Sequence, residues 1–278
     1  MIVKCTAIVH YGDIGRNHHF MDLDVGMLKR TYSKLKTDLH CQVSQSDYDS
    51  LGPKLRSIEE LSRVENRSIS LYDIHQARFL LQVDRHMELL GFSKEEQQQS
   101  LSSERYHAMI HPDDIALMYD SEIKMYYFLK AHHEHIKDYK LVYDYRVRNK
   151  NGTAYIRFLH QMTVFESDTA GNAWIMLIIS DVLDHYPEDE QPCWFLIETK
   201  NQRVCLSNEK QASAEHIITN REREILALAA QGLDSNSIAK RLCISLHTVN
   251  NHRQNILRKT HTRNMTQATY YLKCIGIL

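Results

Sequence analysis

Amide side chains recur at helical spacing near the end of the sequence. The segment LHTVNNHRQNILRK at residues 246–259 has apolar residues at the 3.6-residue period of an amphipathic helix. Asn250, Asn251 and Gln254 fall on the opposite, polar face. Because an amide offers one donor and one acceptor in the geometry of adenine N6 and N7, this pattern is suited to reading base edges in a DNA major groove. Surface amides that only confer solubility are the alternative interpretation.

Cations surround the three amides. Arg253, Arg258 and Lys259 would hold phosphate oxygens if this helix entered the groove, and His247 shares the polar face and is placed with them. Residues 217–278 contain nine Lys and Arg against three acids, whereas the preceding residues carry a net charge of -7. A basic module joined to an acidic one is typical of a phosphate-binding domain, although a solvated basic surface has the same charge.

Two shorter helices are predicted before this helix. Thr219 and Glu222 have the spacing of a capping box at the start of the first, and Gly232 supplies its left-handed stop. Asp234 is the predicted N-cap of the second, and Ser245 caps the helix that carries the amides. The segment therefore predicts a helix, a tight turn and a second helix.

This segment resembles the LuxR/NarL-type helix-turn-helix over residues 218–268. The resemblance is carried by TNREREIL, GLDSNSIAKRL, IS..TVNNH, NILRK and RN.TQA. It implies an all-α four-helix domain whose third helix reads DNA, whose first two helices brace it, and whose last helix often forms a dimer contact. Asn250, Asn251 and Gln254 then occupy base-facing positions. The positions implied near the DNA backbone are Ser245, Thr248, Arg258 and Lys259.

The segment departs from the family pattern at three places. A lysine common after Thr-Val is Asn250 here, which is expected to change the base preference. The usual K-L-x-V is replaced at residues 259–262 by Lys-Thr-His-Thr, which predicts looser packing of the last helix. Ser237 stands where the family has a capping-box acid.

Strand-like alternation dominates the middle of the chain. Residues 139–148, 155–166 and 173–182 predict an antiparallel meander, with Asn151-Gly152 as a hairpin turn. Two shorter strands, SISLYD and RFLLQ, precede a helix that Pro112 opens. Strands, helices and then strands predict an α+β fold rather than a parallel βαβ series.

The same region, residues 66–185, resembles a PAS domain through LLGFSKEE, IHPDD, YRVRNKNGT and WIMLIISDV. The resemblance implies a PAS-like five-stranded antiparallel sheet with helices, enclosing a small cavity for a ligand, cofactor or partner. No residue is carried over as a ligand, and the flavin-binding cysteine motif of light-sensing PAS domains is not apparent. The small-molecule PAS ligand is therefore unknown.

Histidines are the remaining candidates for a site in this region. His160 shares a strand face with apolar residues and is a candidate for the cavity wall, with a hydrogen-bonded interior histidine as the alternative. Imidazoles also ligate metals and haem, and His132, His133 and His135 form a cluster. That cluster stands at a predicted helix end, where histidines favour the negative end of the helix dipole. We predict no metal ligand.

Four parts are predicted: a helical extension at residues 1–65, the PAS-like sensor at 66–185, a linker with a hairpin at 186–216, and the helix-turn-helix domain at 217–278. No run approaches the roughly 18 apolar residues of a membrane span. Because a secretory signal and a C-x-x-C pair are also missing, we expect a cytoplasmic location without a membrane partner. The P-loop, H-E-x-x-H, G-x-S-x-G and G-x-G-x-x-G motifs do not occur, so no catalytic residue is predicted.

Together these features predict a one-component transcription regulator. Its PAS region would sense a signal, and its tail would bind double-stranded DNA as a homodimer without needing a cofactor. RNA polymerase is a further candidate partner. Two alternatives stay open: the helix-turn-helix docks onto another regulator or polymerase instead of DNA, or the chain is a redox or haem sensor enzyme.

Overall fold

The computed structural model describes residues 24–93, 95–96, 103–183, 191–208 and 216–278. The described chain begins with two helices, α1 (Val25–Asp38) and α2 (Gln45–Glu65). Each starts at a side-chain cap, Asp24 for α1 and Ser44 for α2. None of the helices in these ranges is long and apolar enough to cross a membrane.

The apolar residues of these helices are buried to different degrees. Leu28 and Tyr32 of α1 are 9% and 6% exposed, and they pack in the main hydrophobic core. Leu55 of α2 is partly buried, whereas Leu61 is 48% exposed. The buried apolar side of α2 therefore ends before Leu61.

Seven strands of the described chain form one antiparallel sheet in the order β2-β1-β5-β4-β3-β6-β7. The strands are β1 (Ser68–Asp73), β2 (Arg78–Val83), β3 (Tyr139–Arg148), β4 (Tyr155–Ser167), β5 (Ala173–Val182), β6 (Trp194–Glu198) and β7 (Arg203–Ser207). Strands β1 to β5 are the predicted five-stranded antiparallel sheet, which confirms the α+β class. The predicted bounds of β1, β3 and β5 agree with the structure at both ends.

The last two strands form a hairpin that extends this sheet. Sequence alternation predicts the hairpin but leaves its position open, and the structure pairs β6 with β3 from Tyr139↔Glu198 to Tyr143↔Trp194. The edge strand β3 of the PAS-like sheet is thereby covered, which removes an exposed row of backbone donors and acceptors.

The connection from β2 to β3 covers one face of the sheet, which we call the inner face. It contains α3 (Ser103–His107), α4 (Pro112–Ala131) and a 3-10 segment (His133–Asp138). Pro112 occupies the first turn of α4, as predicted, and His111 caps that helix. Helix α1 packs against α4, and both contribute to the core that includes Tyr143 and Phe158 of the sheet.

Four helices form the C-terminal part of the chain: α5 (Asn220–Ala230), α6 (Ser235–Leu242), α7 (Leu246–Thr260) and α8 (Met265–Cys274). Their predicted caps are confirmed. Thr219 and Glu222 form the reciprocal capping box of α5, and Asp234 and Ser245 cap α6 and α7. Gly232 has φ +86°, the left-handed conformation that ends α5.

Helix α8 packs closely, which corrects the looser packing expected from residues 259–262. Thr260 and Thr262 are 1% and 8% exposed, and their hydroxyl oxygens lie 2.8 Å apart. Thr260 Oγ1 also donates to the Ile256 carbonyl at 2.8 Å. Because the two hydroxyls satisfy each other and the backbone, polar residues are tolerated at these buried positions.

The C-terminal helices rest on the outer face of the sheet, opposite α1 and α4. A second hydrophobic core joins Val142 and Phe195 of the sheet to Ile218 and Ile277 at the two ends of this helical part. Two hydrogen bonds cross the same boundary: Gln161 Nε2 donates to the Cys274 carbonyl at 3.0 Å, and Lys140 Nζ donates to the Ile275 carbonyl. The end of α8 is therefore anchored to β3 and β4.

Candidate DNA-binding surface and ligand cavity

The amide face of α7 is exposed. Asn250, Asn251 and Gln254 are all solvent-exposed, whereas Val249 and Ile256 on the other side of the helix are 0% exposed. Asn251 Nδ2 lies 3.1 Å from His247 Nε2, so these two exposed side chains pre-orient each other one turn apart. This face is thus open to an external partner along the first three turns of α7.

The start of α7 is fixed by hydroxyl groups. Ser245 Oγ accepts from Thr248 N at 3.0 Å and lies 2.8 Å from Thr248 Oγ1. Both residues therefore have a capping role in the free chain. A helix N-terminus with such a cap also directs backbone N–H groups outwards, which suits a phosphate oxygen.

The three cations of α7 differ in their surroundings. Arg258 is exposed and Arg253 is half-buried. Lys259 Nζ lies 2.9 Å from Glu222 Oε2, and the two side chains are 20% and 4% exposed. This ion pair ties α7 to the first turn of α5, so the structure gives Lys259 a bracing contact in addition to its predicted phosphate contact.

Two further exposed cations lie just before α7 in the chain. Lys240 and Arg241 are exposed in the last turn of α6, just before the turn that leads to α7. The sequence contains a signal for these two residues, because residues next to the predicted turn at 243–245 flank the amide face.

The predicted histidine cluster lies at the end of α4. His132 is the C-cap, its Nδ1 lies 2.8 Å from the Phe128 carbonyl, and its ring stacks on the Phe128 ring with centroids 3.9 Å apart. Among the described residues, no group of three or more His, Cys, Asp or Glu side chains is arranged to hold a metal ion.

A cavity of about 840 Å³ lies between the inner face of the sheet and the helices α1 and α4. Aromatic and thioether side chains make up much of its wall. The lining includes Tyr72, Tyr126, Tyr143, Tyr145, Phe158, Met118 and Met162.

His160 lines this cavity and is also hydrogen-bonded. Its Nδ1 lies 3.0 Å from Ser180 Oγ and 3.3 Å from Tyr145 OH. Burial lowers the pKa of His160 to about 3, so the ring is neutral at physiological pH. His160 is therefore both a residue of the cavity wall and a hydrogen-bonded interior histidine.

Glu122 of α4 was missed by sequence reasoning. It is 5% exposed and lines the cavity, where Oε2 accepts from Tyr32 OH at 2.5 Å and Oε1 accepts from Tyr143 OH at 2.8 Å. A usable signal was present, since the residues four positions away on either side are Met118 and Tyr126. A lone acid on an otherwise apolar helix face is a candidate for a buried polar site.

The arrangement of α5 to α8, with its capped second and third helices joined by a tight turn, defines a LuxR-type helix-turn-helix domain. Residues 216–272 match the family model described as bacterial regulatory proteins, luxR family. The resemblance predicted from the sequence of this segment is confirmed.

Two curated relatives are similar to the chain over short stretches. The monoamine regulon transcriptional regulator of Klebsiella aerogenes is 42% identical over 65 residues, which is 23% of this chain and 28% of that protein. Regulatory protein SdiA of Escherichia coli (strain K12) is 37% identical over 73 residues, which is 26% of this chain and 30% of that protein. The chain thus matches under a third of the length of either relative.

Two solved structures share more of the chain at lower identity. The match with the crystal structure of the phage VqmA–DPO complex covers 84% of this chain and 92% of the VqmA chain, with 18% identity and a TM-score of 0.32. The PAS-B domain of Drosophila melanogaster Cycle with bound ethylene glycol covers 41% and 98%, with 21% identity and a TM-score of 0.30. The PAS-like assignment of β1 to β5 rests on the strand arrangement, the helical flank and the cavity between them.

Proposed function

We propose that this chain is a one-component transcription regulator. Its LuxR-type domain binds double-stranded DNA as a homodimer, and its PAS-like domain controls that binding in response to a small molecule. The observation that carries the proposal is the exposed amide face of α7, held on a basic domain whose other helices fix its orientation.

Direct base reading is assigned to Asn250, Asn251 and Gln254. Their side chains are exposed and lie within little more than one helical turn of each other, which matches the reach of one helix in a major groove. Backbone contacts are assigned to the surrounding hydroxyl, imidazole and cationic groups. These are Ser245, His247, Thr248, Arg253, Arg258 and Lys259.

Alternation along two strands supports control by the cavity. His160 and Ser180 line the cavity, and the next residues along the chain, Gln161 and Asp181, belong to the opposite face. Gln161 bonds to the end of α8 at 3.0 Å, so a shift of β4 caused by a ligand would reach the DNA-binding domain through one residue. Adjacent residues of β4 thus contact the cavity and the end of α8, so one movement of this strand would change both contacts.

The proposal is tested by fluorescence anisotropy of the full chain on a random duplex pool and on a duplex selected from that pool. We expect the affinity to fall steeply between about 50 and 200 mM salt. Lys and Arg side chains that bind DNA phosphates displace salt cations condensed on the DNA, and added salt opposes that release. Absence of salt-sensitive binding would contradict the proposal, and it would instead favour docking onto another regulator or RNA polymerase.

A further inference from the structure

We propose that the cavity binds a small organic cation, a protonated amine or related N–H-rich group on an apolar or aromatic body, with Glu122 as its counter-ion. The inference rests on the proposed sensory role of the cavity and names the chemical class of the molecule sensed. It is carried by the contacts of one buried carboxylate and the groups that surround it.

The Glu122 carboxylate is buried and makes no direct ion pair in the described chain, although the Lys36 ammonium group acts on it from beside the Tyr32 ring. Both of its oxygens accept from neutral tyrosine hydroxyls, Tyr32 at 2.5 Å and Tyr143 at 2.8 Å. Within the described ranges, no Lys or Arg nitrogen lies within 4.0 Å of it. Each carboxylate oxygen has a second acceptor site, so both can still receive N–H donors. A buried carboxylate in this state gains from a cationic ligand, because an uncompensated buried charge is costly.

A second polar group lies in the same wall. Tyr126 lies one helical turn after Glu122 on α4, lines the cavity and is 5% exposed. A tyrosine hydroxyl can both donate and accept, so Tyr126 supplies a second polar contact for a ligand bound beside Glu122.

The ring faces near Glu122 already accommodate one ammonium group. Lys36 Nζ lies 4.5 Å from the Tyr32 ring centroid and 4.6 Å from the Tyr72 ring centroid. These are distances at which an aromatic face attracts a cation. Lys36 itself is half-buried on α1, where burial lowers its pKa and the charge of Glu122 raises it. A ligand ammonium group beside Glu122 would take over this interaction, and the long Lys36 side chain would turn towards solvent.

The charges around the cavity favour a cation over an anion. Five carboxylates line it against three Lys and Arg side chains, and three histidines also line it. Two of these histidines add no positive charge at physiological pH, since burial lowers the pKa of His107 to about 4 and that of His160 to about 3. A carboxylate ligand beside Glu122 would meet a like charge, which Lys36 offsets from its position over the Tyr32 ring.

The test uses three probes with one body and different head groups: 2-phenylethylamine, 2-phenylethanol and 3-phenylpropanoate. Binding to the full chain is measured by isothermal titration calorimetry at about pH 7.5, where the amine is protonated and the acid is ionised. We expect the amine to bind at least about tenfold more tightly than the alcohol and the acid. The Glu122→Gln variant should lose that preference, because it keeps the shape of the side chain but not its charge.

Two further variants keep the test independent of folding. Glu60→Gln removes an exposed carboxylate of α2 that does not line the cavity, and it should bind the amine as the wild-type chain does. Tyr126→Phe leaves Glu122 intact and should weaken amine binding several-fold. Equal binding of all three probes, tighter binding of the acid, no detectable amine binding, or an unchanged preference in Glu122→Gln would each overturn the proposal.

DNA binding by the same preparations separates this inference from the proposed function. A chain that binds duplex DNA but prefers the acid contradicts the ligand class alone. A chain that binds the amine through Glu122 without binding DNA contradicts the proposed function, while the assignment of the cavity stands.

Discussion

Lys259 has the sequence position of a phosphate ligand and the contacts of a structural ion pair. Its ammonium group lies 2.9 Å from Glu222, whose other role is to accept from Thr219 N at 2.7 Å in the capping box of α5. Arg258, one residue earlier, is exposed. Neighbouring cations on one helix can thus serve different purposes, and the two are separable by experiment.

Replacing Lys259 with Ala should lower the free energy of unfolding by about 1–3 kcal/mol, because the buried Glu222 carboxylate loses its charged donor. Replacing Arg258 with Ala should leave stability within about 0.5 kcal/mol and weaken binding to all duplexes alike, with a salt slope smaller by about one. Urea unfolding and salt-dependent anisotropy measure the two effects. Equal stability losses in both variants would contradict the assignment.

Asn251 should set sequence preference rather than overall affinity. Removing its amide in Asn251→Ala should cost about 1–3 kcal/mol on the selected duplex and much less on random duplexes. Asn220→Ala is the matched control, because Asn220 is an exposed asparagine at the start of α5, near the far end of α7. A uniform loss across all sequences in Asn251→Ala would show that this residue only contacts the backbone.

His160 makes the stability of the sensor depend on pH. Burial holds the folded-state pKa near 3, below the unfolded value of about 6.5, so the unfolded chain binds the proton first. Stability is therefore full above about pH 6.5 and falls by about 1.4 kcal/mol per pH unit below it for each such histidine.

His160→Gln should lose less stability than the wild-type chain when urea unfolding is compared at about pH 7.5 and 5.5, because the variant has one fewer buried imidazole. His107, whose pKa is lowered to about 4 mainly by burial, is present in both proteins and cancels in the comparison. Identical pH dependence in the two proteins would mean that His160 is not held neutral by its surroundings.

At the scale of helices and strands, local rules account for most of what the sequence predicts. The caps at Thr219, Asp234 and Ser245, the turn at Asn151-Gly152 and the alternation along β3 and β4 depend on residues close in the chain. Caps are needed because the first N–H groups of a helix have no partner within it, and alternation arises because successive side chains of a strand point to opposite faces. Both causes act within short stretches of sequence.

Elements that depend on distant partners could not be predicted from short stretches. The position of the β6–β7 hairpin is set by β3, and the site at Glu122 needs Tyr32, 90 residues away along the chain. The exposed Leu61 is a further example. The apolar period of a helix does not show how far along that helix the element packed against it extends. The amide face was predictable because it lies on one helix. The PAS resemblance predicts a cavity, but most of its wall could not be derived from short stretches because many helices and strands contribute to it.

At the scale of the whole molecule, the cavity and the helix-turn-helix domain lie on opposite faces of one sheet. The cavity occupies the inner face, and the end of α8 is anchored on the outer face by Gln161 and Lys140. The sheet between them is a single layer, so a strand that moves changes its contacts with the cavity and with the C-terminal helices at the same time.

Replacing both Lys140 and Gln161 with Ala should loosen this anchor. We expect faster amide hydrogen exchange in residues 270–278, since two hydrogen bonds to the carbonyls of Cys274 and Ile275 are lost. Exchange in α7 should stay unchanged, because its packing on α5 and α8 does not involve these side chains. Unchanged exchange at the end of α8 would show that the hydrophobic contacts alone hold the helices on the sheet.

The claim that the amide face of α7 reads DNA is tested most directly by NMR of the side-chain NH2 groups as a selected duplex is added to the full chain. The account predicts that the resonances of Asn250, Asn251 and Gln254 shift together while that of Asn220 stays in place. Shifts concentrated on the sheet or on α5, with the three amides unmoved, would contradict it.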